Sequence, residues 1–154
     1  MDIDFTWVLI GLLILAGIGA YIGSRTSKRK SGVEAYLPGP DMYAFDIVGE
    51  SHYQDALEKI CGGKTEEGHE KIVKATIVLE DNNPHDSNAV RVDVNGMTVG
   101  HFSREGAVSY RRELKKAGFP GITATCSAMI VGGWDRGGGD TGNFGVKLDL
   151  PTKD

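Results

Sequence analysis

Several things that would give a small protein an obvious chemistry are scarce or missing here. Two cysteines, Cys61 and Cys126, stand far apart with no C-x-x-C, so neither a zinc ribbon nor a disulfide framework is indicated. The four histidines, His52, His69, His85 and His101, are scattered, without the H-x-x-x-H spacing that aims two imidazoles at one metal from a helix face. No serine sits in G-x-S-x-G and no lysine in a P-loop, which removes the common hydrolase and nucleotide-binding motifs. The expectation is a protein that is not an enzyme and that holds no cofactor and no metal. Excess positive charge is missing as well: 17 Lys and Arg face 21 Asp and Glu, a net charge of −4.

What is present divides the 154 residues into one ordinary domain and an extra segment. Residues 5–22, FTWVLIGLLILAGIGAYI, carry no charge, and a run of that length meets the requirement for spanning a bilayer. Trp7 and Tyr21 lie near its ends, where amphipathic rings favour the headgroup level. Asp2 and Asp4 precede the run, and Arg25, Lys28, Arg29 and Lys30 follow it. This is the reverse of a secretory leader. The expectation is a membrane protein with a single-pass anchor over 5–23, the N-terminus outside and the remainder cytoplasmic by the positive-inside rule. Both cysteines are then expected as thiols. Residues 24–42 mix Ser, Gly, Pro and charge without periodicity and read as a basic juxtamembrane linker.

From residue 31 onward thirteen basic residues remain against nineteen acidic, a net charge of −6. Such a domain gets no long-range help in holding phosphates, so any nucleic-acid binding must rest on local groups.

Over 43–150 the pattern is a strand (43–50), a helix, a β-branched strand (71–80), a hairpin, a second helix and two more strands. Ser51 and Gln54 have the spacing of a capping box for the first helix, which Gly62-Gly63 ends. Val90, Val92 and Val94 alternate with Arg91 and Asp93 ahead of Asn95-Gly96, a type I′ hairpin signal. Ser103 and Gly118 bracket the second helix, whose spacing of Val108, Arg111 and Leu114 marks a face. Ile122, Ala124, Cys126, Ala128 and Ile130 alternate in a long strand, and the glycine-rich GGWDRGGGDTGN (132–143) leads to the last strand, 144–150. The fold class expected is mainly β with two helices, a small OB-like barrel of six strands behind one transmembrane helix.

The stretch EDNNPHDSNAV (80–90) is too polar for a core. Its oxygen donors lack EF-hand spacing. Asp86 and Asn88 have the chemistry of a self-capped turn, which leaves Asn82, Asn83 and His85 as outward candidates.

DNNPHDSNAV followed by a strand, an NG turn and VGHFSRE, with FDIVGESHYQDAL upstream, resembles the HIRAN domain family over about 43–150. That resemblance implies an OB-like barrel and DNA binding, namely recognition of the 3′ end of single-stranded DNA. It implies a ligand surface of Ser51, His52 and Tyr53, then Asn82, Asn83, His85 and Asp86, then His101 and Arg104. In this reading Tyr53 and His52 stack on a terminal base, Asn82 and Asn83 bond its edge or hydroxyl, and Arg104 and His101 take the phosphate. Arg111, Arg112, Lys115 and Lys116 form a wider basic patch. The chain departs from the DNA-binding pattern at Ser51, His52 and His85, which stand in place of an arginine and two tyrosines. The partners expected are single-stranded nucleic acid and, through the N-terminal segment, the membrane; the alternative is a protein partner at the membrane's inner face.

Overall fold

The computed structural model describes residues 34–151. The expected anchor, 5–23, lies outside them, as do residues 24–33 of the expected linker. Among the described residues no helix is long and apolar enough to cross a membrane.

The described chain runs β1 (Glu34–Tyr36), β2 (Phe45–Asp46), a 3-10 turn (Glu50–His52), α1 (Gln54–Cys61), β3 (His69–Leu79), β4 (Val90–Val94), β5 (Met97–His101), α2 (Arg104–Lys116), β6 (Thr123–Gly132) and β7 (Phe144–Asp149). The strands form one sheet in the order β2-β7-β6-β3-β4-β5. Its spine is the antiparallel β3–β6 ladder, in register from His69–Gly132 to Ile77–Ala124. β3 is long enough to serve two partners, and its second half, Ala75 to Leu79, also pairs with β4.

Period-two alternation decides which side of this sheet becomes core. Val90, Val92 and Val94 are fully buried beside Ala75, Ile77, Ala124, Cys126, Ala128 and Ile130, each valine worth ~1.5–3 kcal/mol in burial. Arg91, Asp93, Thr125 and Ser127 take the opposite parity. The hairpin forms as its sequence requires, with Asn95 at φ 51° and Gly96 at 76°, the two positive values of a type I′ turn. Ser103 caps α2 by accepting from the Gly106 N–H at 3.1 Å, and Gly118 ends it at φ 82°. α2 packs through Ala107, Tyr110 and Leu114, while Val108 is 47% exposed, so the buried stripe lies one residue before the face marked by Val108 and Arg111. The rings of Phe45, Phe102 and Tyr110 follow one another at 4.6 and 5.3 Å and connect β2 to α2.

Three further expectations need correction. The sheet has seven strands rather than six, because Glu34–Tyr36, inside the expected linker, pairs in parallel with Thr123–Thr125 of β6, and Ala35 and Leu37 are buried. The sheet is a curled half-barrel and not a closed barrel. Its end strands β2 and β5 share no ladder, only the isolated bridge between Val48 and His101, with N–H to carbonyl distances of 2.8 and 2.9 Å. Past that bridge Gly49 turns the chain away at φ 84°, which prevents further pairing. The approach also depends on Gly100, where a Cβ would meet Ile47 Cδ1 at 2.6 Å and the Val48 carbonyl at 2.9 Å.

The capping box at Ser51 does not form either, since α1 begins at Gln54 with no side-chain cap. Gln54 instead acts as a piece of strand. Its Oε1 accepts from the Phe144 N–H at 2.8 Å, and its Nε2 donates to the Phe144 carbonyl at 3.0 Å.

Candidate functional site

The polar loop 80–89 is a folded object. Its ends meet where the Glu80 N–H donates to the Ala89 carbonyl at 3.0 Å. Inside it, Asn83 Oδ1 accepts from the backbone of His85 at 2.9 Å and of Asp86 at 3.2 Å, and Asp86 Oδ1 accepts from the Asn88 N–H at 2.9 Å. These are Asx turns, local substitutes for a ladder that strand ends cannot supply. Asp86 caps the turn as its chemistry predicts. Asn83 faces inward, contrary to its reading as an outward candidate, because its Nδ2 also donates to Glu80 Oε2 at 3.0 Å.

Glu80, which the sequence reading did not single out, is the centre of the arrangement. Its carboxylate accepts from Arg91 Nη1 at 3.0 Å, from Asn83 and, at 3.1 Å, from His101 Nε2. Burial acts to push its pKa up, but the donors from Asn83, Arg91 and His101 outweigh it and hold the carboxyl below the ordinary carboxylate value. Arg91 completes the row with two bonds to Asp93, at 2.9 and 3.0 Å, and Thr98 adds a third to that carboxylate at 3.0 Å. Sequence held one signal for this network: Arg91 and Asp93 occupy the outward parity of VRVDV, and Glu80 sits at the junction of strand and polar loop.

Tyr53 follows the 3-10 turn that the chain enters after bridging β5. That route places its ring 6.1 Å from His101 and 6.5 Å from His52. His52, Tyr53, His101, Glu80 and Asn83 therefore form one connected group on the outer side of β3–β4–β5. Beside it lies an open depression of about 420 Å³ lined by residues that include Val78, Asp81, Asn82, Pro84 and Arg91. Asn82 and His85 are exposed on the loop, as is Ser51 on the turn. Arg104 is exposed at the start of α2, and no described contact joins it to the group.

The wider basic patch is only partly available. Arg111 is a staple between α2 and the loop, donating to Asn88 O at 2.8 Å, Asp81 Oδ1 at 2.7 Å and Ala89 O at 3.0 Å. Lys116 is paired with Glu113 at 2.8 Å. Around the loop and strand face, Glu80, Asp81, Asp86 and Asp93 outnumber Arg91 and Arg111, so the local potential does not favour a phosphate. Stacking and hydrogen bonding are what the group offers.

Among the described residues no set of three His, Cys, Asp or Glu side chains could hold a metal ion. Trp134 packs over Gly142, where a Cβ would collide with the indole, and its Nε1 donates to Asp140 at 3.1 Å. Comparison with known proteins found no matching family model, no matching curated protein and no matching solved structure.

Proposed function

We propose that this protein is a non-catalytic binding module of HIRAN type that receives the 3′ end of a single-stranded nucleic acid, held at a membrane by residues 5–23. The observation that carries the reading is the row of rings His52, Tyr53 and His101 at 6.5 and 6.1 Å, open to solvent at His52 and adjoining the Asn82 depression. A base stacks on such a row at ~1–3 kcal/mol per base whatever its sequence. Asn82 supplies a donor and an acceptor for a base edge or terminal hydroxyl. Arg104, exposed at the start of α2, offers a cation for a phosphate. Affinity then comes from the rings, with a shallow salt dependence because few phosphates are neutralised.

The excess of carboxylates around the loop favours a second reading, in which the same face takes a basic segment of a protein partner. Fluorescence anisotropy with a labelled oligonucleotide, with its 3′-OH free or blocked, tests the first. Tighter binding to the free end, weakened about 5- to 150-fold by Tyr53→Ala in line with the stacking term, supports it. An absence of binding even at low ionic strength, where attraction is least screened, removes nucleic acid and leaves the protein partner.

A further inference from the structure

The outer face of the sheet carries a second surface, away from β4 and β5. Tyr36, Ile72, Val73, Lys74 and Ser127 line an open depression of about 380 Å³. Tyr43 joins it through a 3.0 Å hydrogen bond to Ser127, and Met42 stands next in the chain. Three of these apolar residues are unusually exposed for their type: Met42 at 67%, Ile72 at 61% and Tyr36 at 49%. Alternation explains the location, since Ile72 and Lys74 have the outward parity of β3 while Ala75 and Ile77 are buried. An exposed apolar cluster rimmed by charge marks a contact surface.

We infer that this patch rests on the surface of a lipid bilayer. Its position along the chain argues for that occupant. The described chain begins at Glu34, two residues before Tyr36. It is preceded by the uncharged run 5–22 and by Arg25, Lys28, Arg29 and Lys30. Eleven residues, 23–33, separate that run from Glu34 and reach at most about 40 Å when extended, so the patch is never far from whatever holds the run. Tethering at that length makes docking effectively intramolecular, and a surface too weak to bind lipid alone then stays bound.

The chemistry fits as well. Tyr36 and Tyr43 have the apolar body and polar tip that suit the headgroup level, and Lys74, which lines the depression and pairs with Glu34 at 3.5 Å, can extend its stem along it. Docking this way leaves Arg91 and His101, on β4 and β5 beyond β3 in the sheet order, open to a ligand.

The inference rests on the membrane reading of residues 5–23, and the test separates the two. The full chain carrying Ile72→Cys and Cys61→Ser is spin-labelled and mixed with mixed anionic and zwitterionic vesicles; Cys126 is fully buried and stays unlabelled. Co-sedimentation reports the anchor. Collision of the label with lipid-dissolved oxygen, against an aqueous nickel chelate, reports docking. Docking is expected to give oxygen the larger accessibility at position 72, and the chelate the larger at a Val108→Cys control. Co-sedimentation with a label at 72 in water overturns docking alone, and a protein left in the supernatant overturns both. Spin–spin broadening at 72 that grows with protein density identifies a second copy as the occupant and overturns the lipid surface.

Discussion

Asn83 uses its entire side chain inside the turn, with Oδ1 on two backbone N–H groups and Nδ2 on Glu80, whereas the neighbouring Asn82 is exposed. Asn83→Ala leaves three partners unmet and should cost ~1–3 kcal/mol in urea unfolding. Asn82→Ala should change stability by no more than about 0.5 kcal/mol and act only on ligand affinity. Glu80 gives a pH dependence of known sign. Its folded pKa lies below the ordinary 4.5 because the Asn83, Arg91 and His101 donors outweigh burial. A depressed carboxylate contributes stability that is complete above its unfolded pKa and is lost as pH falls through the folded one. The melting temperatures of the wild type and Glu80→Gln should differ clearly at neutral pH and converge as the pH falls through the depressed folded pKa, below the ordinary 4.5, as seen by circular dichroism. A constant gap across that range contradicts the assignment.

At the scale of elements, the approach of Val48 to β5 depends on one glycine and the docking of the loop on one arginine. A methyl at Gly100 meets Ile47 and the Val48 carbonyl, so Gly100→Ala should destabilise by ~1–3 kcal/mol through overpacking. Arg111→Ala frees the loop from α2 and removes three charge-assisted bonds, with a loss of ~1–3 kcal/mol; thermal melts with and without each change check both. Elements governed by local rules were legible in the sequence: the alternating valines of β4, the Asn95-Gly96 turn, the Ser103 cap and the long strand from Thr123. Those that depend on distant partners were not. Nothing in Glu34–Tyr36 marks a strand, because its pairing is provided by β6 from far along the chain. Ser51 and Gln54 have capping spacing, yet Gln54 bonds Phe144 ninety residues away. Within the candidate site, the rings and the Asx turn could be anticipated from residue type. Glu80 and Arg111 could not, since a carboxylate or guanidinium shows its partners only once strands and helix are in place.

For the molecule as a whole, the two thiols report different depths. Cys126 has no exposure, and burial, with the Asp149 charge behind it, pushes its pKa up to about 12. Cys61 is only partly buried. An alkylating reagent at neutral pH should modify Cys61 in the native protein and reach Cys126 only at the rate of global unfolding, which mass spectrometry of timed samples resolves. Rapid loss of both thiols would mean that the sheet opens locally around β6.

His101 belongs to two structures at once. Its backbone makes the bridge to Val48, and its side chain stands between Glu80 and Tyr53. On the proposed reading, a base stacked on Tyr53 also holds His101 in place, so by mass action its binding adds to the stability of the Val48–His101 bridge.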